Sequence, residues 1–185
     1  MNTNKILMGL ILPAIIGASA AFAQQPTMDK LKFSINNGRY AYAMAADNNT
    51  SGAVVIPATY NGLPVTKVAL FAGRKGITSV TLPNSLTEID QNAFVGCTGI
   101  KSITIPASVT KIGSAFDTCT NLTSVTFEGS AATLSSYNAR AKAFPGDLDT
   151  KYQAGGAGTY TRSAGSNTWT KQGDTKICPC CGRPL

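Results

Sequence analysis

The 185-residue sequence contains no histidine. That absence excludes a Ser-His-Asp triad, a Cys-His dyad and every histidine-ligated metal site. Carboxylate pairs or lysine could still carry catalysis, but no such pair is set up in a recognisable way. Acidic side chains are few: nine Asp and Glu stand against sixteen Lys and Arg, a net charge of +7. The excess is uneven. Residues 24–76 carry six basic and two acidic side chains, residues 77–130 two and four, and residues 131–185 seven and three. This reads either as ordinary solubilising charge or as a contact with acidic polysaccharide, anionic lipid or an acidic host protein. Long apolar runs are also missing. Past the first two dozen residues nothing approaches the ~18–20 apolar residues that span a bilayer, which predicts no transmembrane segment in the mature chain.

The N-terminus has the layout of an export leader. Lys5 gives a short positive start, an apolar stretch runs from Ile6 to about Ala20, and Ala21-Phe22-Ala23 is an A-x-A cleavage site. Cleavage is expected to leave Gln24 first, and Pro13 and Gly17 favour cleavage over an uncleaved anchor. No cysteine stands near the cut, which argues against a bacterial lipid anchor. The mature chain, Gln24–Leu185, is long enough for one modest domain. Export to the cell surface, the medium or the periplasm argues against a nucleic-acid partner.

What the chain does have is repetition. Ile77 opens ITSVTLPNSLTEIDQNAFVGCTG, Ile100 opens IKSITIPASVTKIGSAFDTCTN and Leu122 opens LTSVTFEGS, so the openings are almost evenly spaced. A unit of that length is one coil of a solenoid, which buries its apolar face only against its neighbours. The strand half places Ile77, Val80 and Leu82 in register with Ile100, Ile103 and Ile105 and with Leu122, Val125 and Phe127. The return half places Leu86, Ile89 and Phe94 in register with Val109, Ile112 and Phe116. Alternation in the first half predicts a half-buried strand, and Pro83 and Pro106 stop it because proline donates no ladder hydrogen bond. Val54-Val55-Ile56-Pro57, with Val65, Val68 and Phe71, reads as a degenerate first coil. Stacked coils predict parallel strands ~4.8 Å apart, so four coils make a stack only ~20 Å long whose ends need caps.

Lys32–Ile35 and Arg39–Tyr42 flank Asn36-Asn37-Gly38, which predicts an N-terminal β-hairpin. Leu134–Tyr152, with Leu134, Tyr137, Phe144, Leu148 and Tyr152, reads as a degenerate final coil. Gly155-Gly156-Ala157-Gly158 reads as a flexible joint, and Thr159–Arg162 with Asn167–Lys171 as a small hairpin carrying Tyr160 and Trp169 on one face. The expected layout is a leader at 1–23, a capping hairpin at 24–52, a solenoid at 53–152, the joint and hairpin at 153–171, and a cysteine-containing tail at 172–185.

The pattern apolar-x-x-apolar-x-apolar-Pro, then S-x-T/V-x-I-G/D, then A-F-x-x-C resembles the treponemal-type, or BspA-like, leucine-rich repeat. Ile100–Cys119 matches most closely, and Ile77–Cys97 matches with one extra residue and Asp90 where Gly is usual. The resemblance implies a mostly β fold: a short leucine-rich-repeat-like solenoid with a parallel sheet, capped by β-hairpins. It implies a secreted or cell-surface protein active in adhesion or other protein binding, not an enzyme, and no cofactor. The motif is structural and carries no ligand residues to transfer.

The candidate binding residues come from the strands. Ser79, Thr81, Lys101, Ser102, Thr104, Ser124 and Thr126 are expected on one solvent-facing sheet surface, where stacked hydroxyls could hold a protein or glycan. The alternative is that Thr and Ser simply suit an exposed strand. Cys97 and Cys119 recur at one repeat position, as a disulfide or as a column of small buried thiols. Cys178, Cys180 and Cys181 have the spacing of half a zinc site or of a redox motif, yet three thiols fall one short of a mononuclear zinc set, and a disulfide within or between tails fits better. Trp169 and Tyr160 could stack on a sugar or hold their hairpin together. Two functions follow: an exported interaction module acting through the sheet face, or a cell-envelope component self-associating through solenoid ends or tail cysteines.

Overall fold

The computed structural model describes residues 28–134 and 142–173. The expected leader, Tyr137 and the cysteines at 178, 180 and 181 lie outside the described residues. The described chain opens with a hairpin of β1 (Leu31–Asn36) and β2 (Tyr40–Ala45), paired antiparallel from Leu31↔Ala45 to Asn36↔Tyr40. Asn37 and Gly38 turn it at φ of 49° and 64°, the left-handed region that Asn and Gly tolerate best.

Four coils follow, and each lays one strand on either side of the core. The first contributes β3 (Gly52–Val55) and β5 (Leu63–Ala69), with β4 (Thr59–Tyr60) antiparallel to β5. The second contributes β6 (Ile77–Thr81) and β7 (Glu88–Ile89), the third β8 (Ser102–Ile105) and β9 (Lys111–Ile112), and the fourth β10 (Ser124–Phe127) and β11 (Thr133–Leu134). The return sheet is continuous in the order β1-β2-β5-β7-β9-β11, parallel from β2 onward.

The front sheet departs from the expected unbroken stack. β3 pairs with β6 and β8 pairs with β10, but no ladder joins β6 to β8. At the entrance to β8 the two coils are close: a Cβ on Gly99 would lie 2.3 Å from the Ile77 carbonyl oxygen and 2.5 Å from that of Lys75, so only glycine fits there.

The C-terminal region differs more. Leu134 joins the return sheet as expected, but Leu148–Gly155 form a helix, α1, with Leu148 and Tyr152 buried four residues apart on one side. The glycines after it are not a flexible joint. Gly155 ends the helix beneath the Tyr160 hydroxyl, which a Cβ there would meet at 2.7 Å. Gly158 opens β12 (Gly158–Thr161), which pairs with β13 (Thr170–Lys171) and, antiparallel, with β10. The terminal hairpin is thus the last part of the front sheet, and its reversed direction ends the parallel stack.

Between the sheets runs a column of phenylalanines. Phe71, Phe94, Phe116 and Phe144 stack with successive centroids 5.1, 5.2 and 5.0 Å apart, all fully buried. Phe127 meets Phe144 edge-on at 5.5 Å and stacks on Tyr152 at 4.0 Å, which ties α1 to the last coil. Beside the column Cys97 and Cys119 are free, buried thiols. Their Sγ atoms donate to the Phe71 and Phe94 carbonyls at 2.9 and 3.1 Å, so the disulfide reading gives way to the packing one. Burial pushes both thiols up, Cys119 to about 12.

The far end is capped by side chains. The Arg162 guanidinium donates to the carbonyls of Leu122 at 2.7 Å, Cys119 at 3.3 Å and Thr120 at 3.0 Å, and lies 5.0 Å from the Trp169 ring centroid. Asp149 accepts from the amides of Ala143 and Phe144 at 2.8 and 3.1 Å, although burial still pushes its carboxyl up. Asp147 accepts from the Trp169 amide at 2.8 Å. The Phe144 amide is the clearest case: the amides of Phe71, Phe94 and Phe116 donate to a carbonyl of the next coil, and Asp149 takes that place at the end of the column.

The core can be tested at its rings and at its thiols. Phe116→Ala breaks the column at its centre and is expected to cost about 3–5 kcal/mol in urea unfolding, as for buried aromatics in general. Cys97 and Cys119 should resist thiol reagents at pH 8 until the chain unfolds. Because the folded state holds the Cys119 proton above the ordinary thiol value of 9.0, stability should fall as pH rises from about 9 through about 12. Cys119→Ser should flatten that fall, measured as unfolding free energy against pH.

Candidate binding face

The solenoid has two outward faces, and their polar groups differ in what they do. On the return sheet one row runs Tyr42, Lys67, Glu88, Lys111 and Thr133, aligned by strand pairing. Its charges satisfy one another. Lys67 Nζ lies 3.3 Å from Glu88 and 2.9 Å from Asp90, and Lys111 Nζ lies 3.1 Å from Glu88. Desolvation is the largest single influence on Lys67 and lowers its pKa, but Asp90 and Glu88 together outweigh it and raise the pKa above its ordinary value. Tyr42 is held by the Tyr40 hydroxyl and by Asn36 Nδ2 at 2.8 Å, which together lower its pKa, with Lys67 Nζ 5.6 Å from its ring centroid. Hydroxyls near this sheet are also used. Thr87 donates to Thr66 O at 3.1 Å, Thr110 to Thr87 O at 3.3 Å, and Ser85 to Ala58 O and Val65 O at 2.9 and 2.8 Å.

On the front sheet the hydroxyls of β6 and β8 are free. Ser79 and Thr81 on β6 and Ser102 and Thr104 on β8 are exposed, and none has a hydrogen-bond partner among the described residues. Pairing of β8 with β10 sets Ser124 beside Ser102 and Thr126 beside Thr104. Lys101 is exposed one residue ahead of β8. Ser124 and Thr126 are half-buried because β12 lies against β10, and the Thr126 and Thr159 hydroxyls share a hydrogen bond of 2.9 Å. The expected surface therefore exists as one face, with two qualifications. Its β6 column faces the others across the unpaired seam, and Thr126 is engaged from inside.

The seam shapes this face. A groove of about 350 Å³ lies over it, lined by Ser79, Thr81, Ser102, Thr104, Ser124 and Thr126. Val80, Leu82, Ile103 and Pro106 also line it, so apolar atoms stand beside the hydroxyls, and Asn84 and Glu128 add an amide and a carboxylate.

Other residues of the face were not anticipated. Thr159 and Thr161 extend its hydroxyl columns onto β12, opposite Thr126 and Ser124. The signal was present: Thr159-Tyr160-Thr161 alternates as Ser124-Val125-Thr126 does, with the large residue buried. Trp169 belongs to no binding surface. It is buried, and its Nε1 donates to Pro145 O at 2.8 Å; Tyr160 is likewise buried, its hydroxyl on Gly156 O at 2.8 Å. Both therefore hold the cap together, and the sugar-stacking reading falls. Among the described residues no group of three or more Cys, Asp or Glu is arranged to hold a metal ion, and no helix is long and apolar enough to cross a membrane.

The sequence of residues 53–141 matches the family described as "BspA type Leucine rich repeat region", in six copies. Two solved structures are similar. A leucine-rich repeat protein from T. pallidum shares 22% identity over 51% of this chain and 56% of its own, with a TM-score of 0.41. A leucine-rich repeat protein from Bacteroides ovatus shares 26% identity over 53% of this chain and 28% of its own, with a TM-score of 0.47. The similarity thus spans little more than half of the first and under a third of the second. A comparison with curated proteins finds no match. Leucine-rich repeats of this kind form a non-enzymatic scaffold family whose members generally bind proteins. With the repeat pattern, the two-faced solenoid and the family match in agreement, the repeat region of this chain belongs to the BspA-type leucine-rich-repeat family.

Proposed function

We propose that this protein is an exported interaction module, adhesin-like and held at the cell surface or secreted, that binds a host or neighbouring-cell macromolecule through its front sheet. One observation carries this reading. The exposed hydroxyls of Ser79, Thr81, Ser102 and Thr104 have no partner among the described residues, while the return face pairs its polar groups with one another. Rows of hydroxyls with apolar atoms between them suit an extended protein segment or glycan, which meets them with many small contacts rather than in a pocket. The leader-like segment ending at Ala23 supports export, and the family relationship supports a binding role over a catalytic one.

The face is tested by replacing Ser102, Thr104 and Ser124 with lysine together. All three lie outside the core, so the variant should keep the wild-type circular dichroism spectrum. It should lose binding to whichever of a panel of immobilised matrix proteins and glycans retains the wild type. Undiminished binding by a folded variant places the site elsewhere. Location is tested by protease shaving of intact cells against a periplasmic control. Loss of this protein while the control survives supports the surface reading, and protection in step with the control removes it.

A further inference from the structure

Only two large apolar side chains are exposed among the described residues, Leu70 at 63% and Ile35 at 45%. Ile35 lies on β1, the outermost strand of the return sheet. Six residues long, this strand offers an open edge of the kind that natural sheets usually shorten, charge or cover. At the same end of the solenoid β3 is blunted, with Lys30 Nζ on the Ala53 carbonyl at 3.2 Å.

The backbone of β1 shows which residues face outward. Asn36 O accepts from the Arg39 amide at 3.0 Å, and Lys30 O from the Ala46 amide at 2.8 Å. Those bonds bracket the hairpin, so Lys32, Ser34 and Asn36 turn their amide and carbonyl groups towards β2. The alternate residues Leu31, Phe33 and Ile35 turn theirs to the free edge. Nothing among the described residues pairs with them.

We propose that this edge is where a second copy of the chain docks, β1 against β1, antiparallel about a two-fold axis at Phe33. The segment Leu31-Lys32-Phe33-Ser34-Ile35 alternates apolar and polar in the same way in both directions. In this register Phe33 opposes Phe33 of the partner subunit, Leu31 opposes Ile35 of the partner subunit, and Lys32 opposes Ser34 of the partner subunit. The residues with free backbone groups become the hydrogen-bonded pairs, each exchanging two bonds. Ile35 loses its exposure against an apolar neighbour, and no two lysines stand opposite one another. A one-residue slip would set Leu31 against Asn36 and mismatch every pair. The return sheet then runs unbroken through both copies and leaves both front faces open. This inference is independent of what the front face binds.

Sedimentation equilibrium of the chain from Gln24 onward tests it, under reducing conditions so that tail thiols form no links. A reversible dimer is expected. Ile35→Lys, which charges the interface, and Ile35→Pro, which removes an outward donor, should each weaken it by about tenfold or more. Leu70→Lys, at the other exposed apolar side chain, should leave it intact. A wild type that remains monomeric at about 1 mM overturns the proposal. So does a dimer that both Ile35 variants retain, or one that Leu70→Lys abolishes equally. Should the Ile35 variants fail to fold, hydrogen exchange in the unmodified chain decides. Amides of Leu31, Phe33 and Ile35 that slow as concentration rises support the dimer; amides that exchange freely at all concentrations, or that are protected already in the monomer, overturn it.

Discussion

The stacked phenyl rings are the constraint on which the solenoid depends. A single coil has too little apolar surface to fold alone, and the return-side strands β7, β9 and β11 are each only a pair of residues. What aligns one coil on the next is the ring column from Phe71 to Phe144, flanked by the Ile and Leu of the strands and by the Cys97 and Cys119 thiols. Rings spaced at 5.0–5.2 Å keep the coil spacing close to that of a hydrogen-bonded sheet, so packing and ladder bonds call for the same geometry. The thiols take part in that alignment, because each donates to a carbonyl of the coil before it.

A short stack devotes much of its chain to its ends, and the two ends solve the problem differently. The C-terminal end closes with a reversed strand, a helix, and Arg162 on three carbonyls of the last coil. Phe144 serves both purposes, as the last ring of the column and as the contact that Phe127 makes with the cap. The N-terminal end closes with a hairpin whose outer strand has apolar residues but no cover among the described residues. Two of the basic residues outside the repeats, Lys30 and Arg162, serve these ends by donating to backbone carbonyls.

Much of this was legible in the sequence, and the reasons for the rest are physical. The coils could be read because a regular period is a local property, with Phe94 and Phe116 in register by simple counting. The hydroxyl face could be read because strand alternation separates Ser79 and Thr81 from Val80. The extension of that face onto Thr159 and Thr161 was missed because an alternating segment does not declare its partner, and β12 joins β10 across a long stretch of intervening chain. The role of Arg162 was hidden because its acceptors are main-chain carbonyls, which every residue carries. The seam was hidden because β6 and β8 have nearly the same sequence pattern, which does not say whether two stacked strands share a ladder. Helix α1 was missed because Leu148 and Tyr152 were read as part of a degenerate final coil instead of as a pair one helical turn apart.

The unpaired seam also makes the molecule mechanically asymmetric. Hydrogen bonds tie all four coils together along the return side, whereas along the front they stop between the second and third. The solenoid therefore resembles a book, with the return sheet as its spine and the seam as its opening edge. Flexing that parts the pages stretches no ladder bond, whereas flexing the other way must stretch several. The groove lies along this line, so its width is set by side-chain packing between the second and third coils and not by a front-side ladder.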